Sequence, residues 1–124
     1  MIVGASVVEL HIEGCQSLKA KRGVVRSIVR RCRNRFNLAV SEVGGQGTWQ
    51  HAVLGLAAAG ADATTVRGVL ERAGDFIEEL HLARVLSSDI EVLDLPHAEA
   101  PWVEDEGEPS DGDAEGDADD SERD

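Results

Sequence analysis

The sequence predicts an α+β domain of ferredoxin-like type, βαββαβ, with a four-stranded antiparallel sheet, two helices on one face and a disordered acidic C-terminal tail. Three observations lead there. Apolar residues alternate with period two over four segments and recur at helical spacing over two others, in the order strand, helix, strand, strand, helix, strand. That order is a split βαβ unit repeated once, which short, right-handed connections close into a single sheet. The charge then changes abruptly. Through residue 95 there are two Lys and nine Arg against eleven acidic residues, a balance of zero; from residue 96 there are thirteen acidic residues and only Arg123. The formal charge of −12 therefore belongs to the tail, giving a domain over residues 1–95 and a tail over 96–124.

Residues 2–13 read as the first strand, with Val8, Leu10 and Ile12 turned toward the helices and Val3, Ala5, Val7, Glu9 and His11 on the other side. Gly14 ends it. Ser17 is suited to cap the following helix, which runs to Phe36 with Leu18, Val25, Ile28, Val29, Cys32 and Phe36 on one stripe. A second strand is expected over residues 36–43. The glycine-rich GGQG at 44–47 supplies a turn, and a third strand over 48–59 completes a hairpin. On that strand Val53, Gly55 and Ala57 form a shallow apolar surface that suits close approach by a second sheet. Asp62 is placed to cap a second helix reaching about Leu80, with Val66, Leu70, Ala73 and Ile77 among its inward residues. Residues 84–95 form the last strand, interrupted in pattern by Ser87, Ser88 and Asp89. Gly, Asp and Glu dominate the chain from Glu104, a composition too poor in apolar residues to bury a core.

The first helix carries the functional signal. Residues 17–36 contain eight cations, and no Asp or Glu occurs between Glu13 and Glu42. At about 100° per residue, Lys19, Arg22, Arg26, Arg30 and Arg33 fall within about 80° of one another. Such a row repels itself by a few tenths of a kcal/mol per pair, roughly, and a bound anion would relieve it. Lys19, Lys21 and Arg22 also sit at the positive end of the helix dipole. The row reads either as a solvated Arg-rich surface or as an anion-binding face. The second helix, with Arg67, Glu71, Arg72, Asp75, Glu78 and Glu79, is mixed in charge and serves as a control.

Other chemistries find little support. His11, His51, His81 and His97 with Cys15 and Cys32 lack the spacing of a metal site, so neither metal nor cofactor is expected. Cys15 and Cys32 are separated by about 22 Å of helix, too far for a disulfide. Cys15, beside a helix N-terminus, reads as a reactive thiol or an inert loop residue. No carboxylate pair or nucleophile–base arrangement suggests an enzyme, and GGQG lacks the lysine and helix of a phosphate loop. Stacking of bases on the open sheet, as RRM domains use it, needs aromatics on the two central strands, and the candidates are only Trp49, His51 and His11, with no aromatic cluster. Without a leader or an apolar run of about 18 residues, no membrane role is expected and the cytoplasm is the expected location.

The stretches MIVGASVVELHIEG, QSLKAKRGVVRSIVRRCRNRFNLAVSEV and TWQHAVLGLA resemble the YlxP-like family, small bacterial proteins grouped as a domain of unknown function. Ser17, Leu18, Lys19, Lys21, Arg22, Arg33, Asn34, Arg35, Phe36, Asn37, Trp49 and Gln50 carry the match. Gly23 stands where another basic or polar residue is expected, and the acidic tail is an addition. The resemblance implies a ferredoxin-like fold, no accepted enzymatic activity, and, from the translation genes that often neighbour its members, a link to ribosomal RNA or its factors.

Together these readings lead us to expect a non-enzymatic protein that contacts structured RNA or a ribosomal particle through Lys19, Arg22, Arg26, Arg30 and Arg33. It is expected to form a homodimer through Val7, Trp49 and Val53 on the open sheet face. The alternatives are an adaptor binding acidic partner segments through the same helix or a sheet edge, and a small-molecule enzyme. The tail reads as a solubilising extension or as a phosphate mimic that folds over the basic helix.

Overall fold

A computed structural model describes residues 1–45 and 48–97 of the protein. Six elements follow one another: β1 (Ile2–His11), α1 (Leu18–Arg35), β2 (Ala39–Gly44), β3 (His51–Gly60), α2 (Ala63–Glu79) and β4 (Arg84–Asp94). The strands form one antiparallel sheet in the order β2-β3-β1-β4, the ferredoxin-like arrangement, in which β1 and β3 are central and β2 and β4 are edges.

The strand period decides what each face holds. In β1, Gly4, Ser6, Val8 and Leu10 are buried, and across the sheet Ala52, Leu54, Leu56 and Ala58 of β3 are buried beside them. This face meets Val25, Ile28 and Cys32 of α1 and Val66, Leu70, Ala73 and Ile77 of α2 to make one continuous core. α2 lies against β1, β3 and β4, and α1 against β2 and α2. The approach of α2 to β1 depends on Gly4, where a Cβ would come within 2.6 Å of Val66 Cγ1 and 2.8 Å of Leu70 Cδ1.

Both expected caps are present. The Ser17 hydroxyl accepts from the Ala20 amide at 3.1 Å, and the Asp62 carboxylate accepts from the Thr65 amide at 2.9 Å. Hydrogen bonds from Thr65 hold the Asp62 carboxyl below its ordinary range.

Several boundaries differ from the sequence expectation. β1 ends at His11 rather than Glu13, and Cys15, in the connection to α1, is buried. β2 begins at Ala39 because Phe36 closes α1 and turns its ring edge-on to Phe76 of α2, with centroids 5.5 Å apart and planes at 76°. β3 begins at His51 because residues 48–50 bend away: the Thr48 carbonyl accepts from a helix side chain, while the Gln50 carbonyl accepts from the Ile12 amide at 2.9 Å. The Ser87–Asp89 interruption does not break β4; a register shift opposite Glu9 and Leu10 absorbs it. The expected tail from residue 98 onward, and Gln46 and Gly47 of the glycine-rich loop, lie outside the described residues.

Candidate functional site

The geometry of α1 follows from where each cation falls around its axis. The buried stripe holds Val25, Ile28 and Cys32, and Lys21 lies on it as well: at about 100° per residue, position 21 falls between positions 28 and 32. Lys21 is only 1% exposed. Its ammonium donates to the Gly45 carbonyl and to the Thr48 carbonyl, the latter at 2.9 Å, and lies 3.4 Å from Glu42 Oε2. Carbonyl dipoles and a carboxylate take the place of water around this buried side chain. Lys21 therefore fastens the loop between β2 and β3 to the helix. Gly45 helps it do so, since its φ of +77° and the closeness of the His51 carbonyl leave no room for a side chain.

Arg33 makes the second tie. Its Nη2 donates to the Val40 carbonyl at 2.7 Å, on the open edge of β2. An unpaired edge carbonyl invites another strand, and this guanidinium occupies it. One of the five expected contact residues is thus partly committed to holding the fold, although Arg33 remains exposed.

The other four are differently placed. Lys19, Arg22, Arg26 and Arg30 are exposed. Among the described residues the ion pairs are Lys21–Glu42 and His51–Glu9, and neither involves this row. Arg22, Arg26 and Arg33, the three nearest the apolar stripe, line an open groove of about 400 Å³ between α1 and β2. Its lining also includes Val25, Val29, Val40, Ser41 and Glu42, of which Val25 and Val40 are buried in the core. Lys19 and Arg30 lie further round the helix and are not part of the groove lining. The structure thus brings three of the five cations together along one groove and leaves two on the adjoining surface. Arg31 and Arg35 are engaged elsewhere: Arg31 Nε donates to the Ser27 hydroxyl at 3.2 Å, and the Arg35 guanidinium lies 5.2 Å from the Phe76 ring centre.

The opposite face of the sheet is uncovered in the monomer. Val7 is 48% exposed, and the pairing of Val7 with Gly55 and of Glu9 with Val53 makes Val7 and Val53 diagonal neighbours there. Trp49, 51% exposed, stands in the bend before β3 and not on the strand itself. At one end of this face the Ser87 hydroxyl donates to Glu9 Oε1 at 2.9 Å, while His51 Nε2 lies 3.1 Å from Glu9 Oε2. Ser87 first and His51 second hold the Glu9 carboxyl below its ordinary range. The carboxylate stands between hydroxyl and imidazole, so this cluster lacks the nucleophile–imidazole–carboxylate order of a nucleophilic triad.

Other polar groups add little chemistry. No three His, Cys, Asp or Glu side chains among the described residues are placed to hold a metal ion. Cys15 and Cys32 are both buried free thiols, and burial pushes the Cys32 thiol up to about 11, away from thiolate reactivity. Among the described residues, no helix is long and apolar enough to cross a membrane.

Comparison with known proteins finds similar sequences whose function is not assigned. Residues 3–90 match the family model described as a protein of unknown function, DUF503. The chain is 36% identical over 77 residues to the uncharacterized protein YlxP of Bacillus subtilis (strain 168), covering 62% of this chain and 84% of that protein. The acidic segment lies beyond the matched residues.

Replacing Lys21 by Met keeps the stem and removes the ammonium, leaving the Gly45 and Thr48 carbonyls without their donor. Chemical denaturation of Lys21→Met should show a loss of roughly 2–3 kcal/mol; stability equal to the parent protein would remove the tether from the account.

Proposed function

The chain belongs to the DUF503 family, and we propose that it is a non-enzymatic binding protein whose basic first helix contacts structured RNA or a ribosomal particle. One observation carries this reading: Lys19, Arg22, Arg26 and Arg30 share a solvent-facing side of α1 with no acidic partner among the described residues. Guanidinium groups suit phosphate oxygens because their planar fork donates two parallel hydrogen bonds and keeps its charge at every physiological pH. The rigid helix sets their spacing. The translation-gene neighbourhood implied by the family resemblance supports ribosomal RNA as the polyanion.

The same geometry favours backbone recognition over sequence recognition. His11 and His51 stand at one end of the open face, but no Phe, Tyr or Trp stands on its β1 and β3 positions, where Val3, Ala5, Val7, Val53, Gly55 and Ala57 are placed, so the aromatic cluster of a base-stacking platform is missing there. Contacts limited to phosphates and sugars read shape.

We further propose that the open sheet face joins two copies of the chain. Val7 and Val53, with the small Gly55 and Ala57 between neighbouring strands, offer an apolar and shallow surface, and exposed apolar patches of this kind mark interaction sites. Trp49 lies at its margin.

Cosedimentation with ribosomal subunits across a salt series tests the first proposal. With four or five phosphate contacts, log affinity should fall against log salt with a slope of about −3.6 to −4.5. Changing Arg26 and Arg30 together to Glu should weaken binding at least about tenfold at low salt. Binding that ignores salt and this double change, or that persists after ribonuclease treatment, would favour a protein partner instead. For the second proposal, Val7→Asp should convert a dimer into a monomer in sedimentation equilibrium without lowering helix content; a parent protein that is monomeric at all concentrations contradicts it.

A further inference from the structure

The groove between α1 and β2 is lined by Arg22, Arg26 and Arg33 and by a single carboxylate, Glu42. Were phosphate contact the whole task of this groove, Glu42 would oppose it, because a carboxylate repels a phosphodiester and has no hydrogen to donate. No ion pair among the described residues joins Glu42 to these arginines, so neutralising them is not its role either.

The carboxylate is held in place from behind. Its Oε2 is buried, has no hydrogen-bond partner and faces the Lys21 ammonium at 3.4 Å, and Lys21 is 1% exposed. The Glu42 side chain nevertheless keeps 22% of its surface open. Oε2 has no share in that surface, which leaves Oε1 as the oxygen a groove ligand can reach. Its place along the groove follows from the sheet. Glu42 pairs with the buried Leu54 and so shares the helix side of β2 with Val40. Since Arg33 is bound to the Val40 carbonyl and Glu42 faces Lys21, the acid stands toward the Arg22 end and Arg33 at the other.

Guanidinium donors on one wall and an acceptor on the other specify a ligand. It must offer acceptors to the arginines and, close beside them, a donor to the carboxylate. A backbone of phosphate and deoxyribose offers acceptors only. Ribose adds one donor per nucleotide, the 2′-hydroxyl, next to the phosphate. We propose that Glu42 accepts a hydrogen bond from a ribose 2′-hydroxyl while Arg22 and Arg26 hold adjoining phosphates, so that Glu42 is the residue by which this protein distinguishes RNA from DNA. Arg22 and Arg26 stand one helical turn apart, about 6 Å, which lets two long side chains serve neighbouring phosphates of one strand. An A-form duplex presents the matching surface, since its wide, shallow minor groove displays 2′-hydroxyls together with the phosphates that border it.

This inference rests on the RNA reading of the basic helix and adds to it a choice of sugar. Selection acts in both directions. Ribose meets Glu42 with a hydrogen bond to a carboxylate acceptor, whereas a backbone without the hydroxyl meets it only with repulsion.

Three duplexes of one sequence test it with the full-length protein at low salt: RNA, RNA carrying 2′-fluorine in place of every 2′-hydroxyl, and DNA. The fluorinated duplex keeps the A-form and its phosphates but lacks the donor, and so separates the hydroxyl from helix shape. The parent protein should bind RNA about tenfold more tightly than the fluorinated duplex, the effect of one hydrogen bond to a carboxylate. In Glu42→Ala that ratio should fall to about one, chiefly because the fluorinated duplex binds more tightly once the repulsion is gone. Glu42→Gln, which keeps an acceptor without the charge, should hold an intermediate ratio. Lys21 still has the Gly45 and Thr48 carbonyls to bind in both variants. Equal affinity of the parent protein for RNA and the fluorinated duplex overturns the inference while leaving salt-dependent RNA contact standing. A preference that survives Glu42→Ala overturns it as well, because the hydroxyl is then read elsewhere. Failure to bind any of the three duplexes contradicts the RNA reading itself, and this inference with it.

Discussion

Helix α1 is fastened to the β2 side of the sheet by two cations whose donors are directed at backbone carbonyls. Lys21 binds the carbonyls of Gly45 and Thr48, and Arg33 binds that of Val40. The two sites are twelve residues apart, so the helix is tied near both ends. Rotation about its axis is thereby fixed more tightly than its apolar stripe alone would fix it, because Val24 and Val29 flank the buried positions and are themselves half-buried. This orientation determines which cations face the groove and which face open water. It also protects a free sheet edge: β2 is short and carries a guanidinium on its Val40 carbonyl, whereas β4 is long and relies on Asp89, Glu91 and Asp94 to discourage pairing.

Architecture was legible because it rests on periodicity. Alternation in β1 and β3 and the stripes of both helices depend only on which residues are apolar, and the caps at Ser17 and Asp62 follow from side chains able to accept from free amides. What was harder to see depends on contacts between distant residues. Phe36 looks like a strand residue by type, yet Phe76 holds its ring at the junction of the helices. Residues 48–50 continue the alternation of β3, but the Thr48 carbonyl is drawn to Lys21.

The role of Lys21 is the instructive case. Its angular position on the helical wheel, between Ile28 and Cys32, placed it on the buried stripe, and that signal was available from spacing alone. A lysine on such a stripe requires carbonyl or carboxylate partners, and the glycine-rich loop with Glu42 before it supplies them. Arg33 left no comparable trace, since its angular neighbours Arg22 and Arg26 are of the same type and remain without acidic partners among the described residues. Only the distance to the Val40 carbonyl separates it from them. The interleaving of Arg22 and Arg26 with Val25 and Val29 was written in the sequence, but it becomes a groove only when β2 stands beside it.

From this arrangement follows a division of labour along one helix. One side builds the core, two cations hold the frame, and the remaining ones face water at fixed spacing. The account therefore stands on the anion affinity of that last set. Amide chemical-shift mapping of the full-length protein during titration with a short RNA duplex addresses it most directly. Perturbations should concentrate at residues 19–33 and 39–42 and vanish as salt is raised; shifts centred on the open face around Val7 and Val53, or none at all at low salt, would contradict it.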